Sequence, residues 1–261
     1  DLAAAGMISV ADAANSVVGM YRIYSDEGET AASITNKLVE VTTMSGYQAS
    51  EFATSLGKAA SKTKNAGQTF NTVLISLGLM RNSFIDAASA GTYFSRAVTN
   101  LTSSEKAQAT MAKLGVRMYD KQTKKARQFT DVTLDLIKAM KKYTPEAQAR
   151  MQNDLFGARA KGLFTAVEKA SIEVTRKGTK VTLKGAAAIK EMNRRLDEQK
   201  KKSADAAKVF RERLLGTFEG QKTLLKGTME TLAIVVGKPF AAVLSPIVNT
   251  VTNQLNGLAQ T

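Results

Sequence analysis

Cysteine, histidine and tryptophan are all absent from the chain. Without thiols there is no disulfide framework and no thiolate nucleophile, and without imidazole the commonest general base and the usual Cys/His zinc sites are excluded. Serine, lysine, aspartate and glutamate remain, so Ser-Lys or paired-carboxylate chemistry is formally available, but no spacing among them points to either. Proline occurs only at Pro145, Pro239 and Pro246, and aromatics make up 6% of the residues. Scarce proline leaves helices uninterrupted, and scarce aromatics leave few platforms for stacking bases. No uninterrupted apolar run reaches the roughly 18–20 residues that a membrane span needs.

Alanine, lysine, leucine, methionine and glutamine are plentiful instead, and they favour helix. Lysine and arginine outnumber aspartate and glutamate by 37 to 23, a net charge of +14. Such an excess attracts polyanions at long range; DNA, anionic lipid and an acidic protein lumen all qualify. A chain of 261 residues is long enough to bury a core in one or two domains. It begins at Asp1 with no initiator methionine and no basic leader, and so reads as an interior fragment of a longer protein without a signal peptide.

Apolar residues recur at helical spacing along most of the chain. Val10, Ala14, Val17 and Tyr21 predict a first stripe, and Ile34, Leu38 and Val41 a second, stopped at Ser45-Gly46. Helices are expected from near Tyr47-Gln48, with Phe52, Leu56 and Ala59 inward, and from near Gln68, with Phe70, Val73, Leu74, Leu77 and Met80 inward. Gly57 and Gly67 are candidate close-approach or stop positions. Phe84, Ala87, Ala88, Gly91, Phe94 and Val98 form a set rich in small residues that lets helices pack closely. Leu101 to Glu105 reads as a loop before a short helix closed by Gly115 in the left-handed conformation. Val116 to Phe129 reads as a hairpin-like turn or solvated loop. Val132, Leu136, Met140 and Tyr143 form a further stripe that stops before Pro145, which starts the next helix, carrying Met151, Leu155 and Phe156.

The period changes at Ile172, Val174, Val181 and Leu183, which flank Lys177-Gly178 and predict a small β-hairpin. After it, Ile189, Met192, Leu196, Gln199, Ser203, Ala206 and Phe210 alternate three and four apart, the heptad spacing of a coiled coil. Ile189, Met192, Leu196, Ala206 and Phe210 are thus a candidate self-association seam, or the face of a helix packed on its own domain. The lysines around Lys200 form a solvated face or a polyanion contact. The last stretch is the most apolar; Leu232, Val235, Val236, Phe240, Val243, Leu244 and Ile247 are candidates for a membrane or partner surface, or for ordinary core.

The expected architecture is mainly α: a multi-helix domain over residues 1–168, a hairpin insertion over 169–186, a long charged coiled-coil-like helix over 187–222 and an apolar helical segment over 223–261. No residue is a candidate for catalysis, cofactor binding or metal binding.

Five landmarks in order resemble the core region of phage tail tape-measure proteins. They are Gly6-Met7 with Ala11-Asp12-Ala13-Ala14-Asn15; Tyr47 to Ala60; Ala87 to Phe94; Lys113-Leu114-Gly115-Val116 with Phe129-Thr130-Asp131-Val132; and Leu155-Phe156-Gly157-Ala158. The stretch from Gly220 to Leu258 also resembles the region that follows this core, whereas residues 170–215 depart from the pattern. The resemblance implies a helical structural protein, longer than this chain and not an enzyme, that fills the tail tube lumen or tail tip, sets tail length and leaves ahead of the genome. Implied partners are tube and tail-tip or baseplate hub proteins, further copies of the chain (a trimer among the options), assembly chaperones in the host cytoplasm and, at infection, the host membrane. A basic helical nucleic-acid-binding module and a membrane-active helical protein are the alternatives.

Overall fold

The computed structural model describes residues 10–81, 86–158, 161–176 and 179–202. Among them ten α-helices and one hairpin follow in chain order: α1 Val10–Tyr24, α2 Ala31–Ser45, α3 Ala49–Asn65, α4 Phe70–Arg81, α5 Ala87–Ser103, α6 Glu105–Leu114, α7 Phe129–Met140, α8 Pro145–Phe156, α9 Lys161–Glu168, β1 Ser171–Arg176, β2 Thr179–Lys184 and α10 Ala186–Lys201. The mainly helical class with one small hairpin is therefore as the sequence predicts.

Local chemistry sets most boundaries. Thr30 caps α2 by accepting the Ser33 N–H, and the Ser33 hydroxyl accepts the Thr30 N–H in return, a reciprocal cap that satisfies two otherwise orphaned donors. Asp86 caps α5 through the Ser89 N–H, Ser104 caps α6, and Thr144 caps α8 with Pro145 in its first turn. Gly46 and Gly115 end α2 and α6 in the left-handed conformation. The loop expected over Leu101 to Glu105 shrinks to Ser104. Leu101 is fully buried, so core packing holds the last turn of α5 in place, and one capping serine suffices for the break.

α4 is the central helix, with Phe70, Val73, Leu74, Ile75, Leu77, Leu79 and Met80 all buried. Around it α3 and α5 approach most closely. The Ser55 hydroxyl donates to Ala87 O at 2.6 Å and the Ser95 hydroxyl to Lys58 O at 3.0 Å. A Cβ on Gly91 would lie 2.2 Å from Ser55 O, whereas one on Gly57 would meet nothing within 4 Å. The close approach is thus at Gly91, and Gly57 faces open space. Phe94, Phe129, Phe156 and Phe164 form a chain of ring contacts 5.3 to 6.0 Å apart that joins α5, α7, α8 and α9.

On α1 the buried stripe is Ala13, Met20 and Tyr24, with Val17 partly buried; Tyr21 is exposed. This corrects the expected face. Both sets have helical spacing, but the helix runs one turn past Tyr21 and its end is fixed by Tyr24, which packs on Phe70 and donates to Ala60 O.

In the hairpin Ile172 pairs with Leu183 and Val174 with Val181, antiparallel. Ile172 and Val174 face the core, which supplies the partner that an isolated two-stranded ribbon lacks. The core runs continuously from Ala13 to Leu196, so the hairpin and α10 share it with the helices before them.

Candidate functional site

Two features stand out, a polar seam under α10 and an apolar groove beside α6. The seam starts at Lys37, which is almost fully buried on α2. Its ammonium lies 2.6 Å from Glu29 Oε1 and donates to Asn71 Oδ1 at 2.8 Å. Glu29 also accepts from the Ser33 hydroxyl. Asn71 passes the connection on by donating to Asp197 Oδ1 of α10 at 2.8 Å. Further along α10, Gln199 donates to Glu40 at 3.1 Å, Arg195 lies 3.7 Å from the same carboxylate, and Lys200 donates to Glu27 O at 2.6 Å. Glu27, Glu29, Lys37, Asn71, Asp197 and Lys200 line a polar cleft of about 510 Å³.

A buried charge persists only when paired and hydrogen-bonded, which is the environment of Lys37. Burial holds the Glu40 carboxyl above its ordinary range, with Arg195 opposing the shift. On α10 itself, the hydrogen bond from Arg194 draws Glu191 down to about 2.

The groove lies between α6 and the segment that leaves it. Leu101, Met111, Val116 and Met118 form its buried floor, Gln108, Ala112, Gly115, Arg117 and Tyr119 line its open side, and it encloses about 550 Å³. Val116 and Met118 are buried while Arg117 and Tyr119 are exposed, the alternation of a half-buried extended strand. Tyr119 then pairs with Ala126 across a tight turn. The Asp120 carboxylate accepts the Gln122 and Thr123 N–H groups and the Thr123 hydroxyl.

The far end of this loop is clamped by two glutamines. Gln68 donates to Arg127 O and accepts the Phe129 N–H at 2.6 Å. Gln128 accepts from the Thr69 N–H and from the hydroxyls of Thr69 and Thr72. Of the two readings of Val116 to Phe129, hairpin-like turn or solvated loop, the structure has the turn over Tyr119 to Ala126, while Val116 and Met118 are buried and Phe129 already begins α7. The apolar-polar alternation of Val116, Arg117, Met118 and Tyr119 is the signal in the sequence that could have found the groove.

Of the predicted seam, Ile189, Met192 and Leu196 are buried in the protein's own core, where α10 packs against α2, α4 and the hairpin. Ala206 and Phe210 lie outside the described residues. So do Leu232, Val235, Val236, Phe240, Val243, Leu244 and Ile247. No described helix is long and apolar enough to cross a membrane, and among the described residues no three Asp or Glu side chains are grouped to hold a metal.

Fold and surfaces together define a mainly helical protein with one small hairpin, a polar seam under α10 and an open groove beside α6. The sequence model of the family described as phage-related minor tail protein matches residues 1–157, and the chain belongs to that family. No curated protein and no solved structure matches it.

Proposed function

We propose that this phage tail protein is a segment of a tail tape-measure protein. It occupies the tube lumen or tail tip, and at infection it leaves ahead of the DNA. The observation that carries this reading is the coincidence of the family match over residues 1–157 with five ordered landmarks that resemble the tape-measure core. The net charge of +14 supports it, because an acidic lumen attracts a basic filler.

The fold bears on how such a protein sets tail length. The longest described helices have 17 residues, roughly 26 Å at 1.5 Å per residue, and they fold back on one another. Length in proportion to residue count is therefore not carried by this body. We assign it an anchoring role against tube, tip or hub proteins, with further copies of the chain and, during assembly, chaperones as additional partners. Its role is structural, and no residue is given a chemical step.

Cryo-electron microscopy of the intact parent particle tests this reading. Density for residues 10–202 on the tail axis, bounded by tube or tip subunits, is the expected result. Density for these residues outside the tail would overturn it.

A further inference from the structure

We infer that the groove beside α6, with the basic loop that leaves it, is a docking site for an acidic amphipathic segment of another tail protein. The inference rests on the tail reading only for the identity of the partner. An apolar side chain of that segment enters the groove, and its carboxylates meet the cations at the rim.

The groove supplies the apolar half. Its volume of about 550 Å³ lies within the range of sites that hold whole side chains or small ligands. Met111 and Met118 give it a floor that adapts to the shape of what enters. Tyr119, 48% exposed, offers a large apolar face with a polar tip at the mouth.

The rim supplies the charge. Arg117 lines the groove, and Lys124 and Lys125 stand on the loop that leaves it; all three are exposed, and none has a carboxylate partner among the ion pairs of the described residues. The carboxylate within the loop, Asp120, is already engaged by the turn. Asp120 keeps its charge but offsets only one of these cations, so the loop remains net positive, which favours an anionic partner and disfavours a cationic one. The glutamine clamp and the Tyr119–Ala126 pairing hold the loop in place before binding, which lowers the ordering cost of association.

A nucleic-acid strand fits less well. Successive bases need successive aromatic platforms, whereas the groove presents one tyrosine over a floor of aliphatic and thioether groups.

The test is fluorescence anisotropy with the full chain and a labelled synthetic peptide of leucine and glutamate at helical spacing. Controls are the same peptide with serine for leucine, the same with lysine for glutamate, and a single-stranded oligothymidine. The expected result is saturable binding of the Leu/Glu peptide alone, weakened at least about tenfold by Ala112→Trp, which fills the groove, and by Arg117→Glu at its rim. Both positions are exposed, and circular dichroism checks the fold; should Ala112→Trp melt early, Gln108→Trp blocks the opposite wall. Absence of binding by the Leu/Glu peptide, equal binding of the serine peptide or the oligonucleotide, or insensitivity to both kinds of variant would overturn the proposal. The parent-particle density and this assay are independent, so either can fail without the other.

Discussion

Helices α4 and α10 lie against each other in one core, yet they are held by different means. α4 is buried nearly all round, and beyond the hydrogen bonds of Asn71 and Thr72 in its first turn its buried surface is mostly hydrocarbon. α10 buries only the stripe Ala188, Ile189, Met192 and Leu196; beside that stripe Asp197, Gln199 and Lys200 are tied to α2, α4 and the loop before α2 by hydrogen bonds and ion pairs. Apolar burial stabilises in proportion to area and needs no alignment, whereas a polar seam contributes little net free energy but penalises any misfit severely. The difference makes α4 the part that folding depends on and α10 the part that can open alone.

The largest expected effect falls on the Lys37–Glu29 ion pair, which lies on α2 and the loop before it and reaches α4 through Asn71. Lys37→Ala leaves buried Glu29 without its close partner, with only Lys200 at 3.9 Å, and should cost up to about 3–5 kcal/mol, read as the urea unfolding midpoint. Lys37→Met combined with Glu29→Gln should recover most of that loss. If the double variant is as unstable as the single one, the unpaired charge is not the cause.

Next comes the helix crossing that frames α4. Gly91→Ala drives a Cβ against Ser55 O and should destabilise by about 1–3 kcal/mol. Gly57→Ala, on the open side of α3, should instead stabilise by roughly 0.5–1 kcal/mol. Equal effects of the two would mean that the α3–α5 spacing is not fixed by the glycine.

A smaller effect separates α10 directly. Asp197→Ala should cost about 1 kcal/mol and accelerate amide exchange across α10 while leaving α4 protected. Uniform acceleration of both helices would show that they open as one unit.

The smallest effects are those of pH, and they have opposite signs on the two sides of the seam. The depressed Glu191 contributes stability above its ordinary pKa of 4.5 that is lost as pH falls towards about 2. The raised Glu40 binds its proton more tightly when folded, so its contribution declines as pH rises from 4.5. Glu191→Gln should flatten the acid limb of a stability-pH profile. Glu40→Gln should gain on the unsubstituted protein towards neutrality and approach it in acid.

Boundaries were legible wherever one residue forces them. Gly46, Gly115 and Pro145 act through their own backbone preferences, and the hairpin strands through a change of period. The buried face of α1 was not legible, because Ala13, Met20 and Tyr24 compete with Val10, Ala14, Val17 and Tyr21 at equally good spacing, and only the position of Phe70 chooses between them. The start of α4 moved from Gln68 to Phe70 for a related reason: the Gln68 side chain is committed to the Phe129 N–H, 61 residues away. Of the candidate site residues, Ile189, Met192 and Leu196 form the buried stripe of α10, but heptad spacing does not say whether the surface such a stripe meets belongs to the same chain.

The sequence by itself determined the helical class, most helix ends and the excess of positive charge, since propensity, capping and composition act within a few residues. Only the tertiary structure decided which glycine lets two helices touch, which lysine is buried, which stripe of α1 faces inward and where the groove opens. The first three depend on residues more than 30 positions apart being brought together, and the groove on α6 and the segment after it folding over Leu101; a linear pattern carries no record of either.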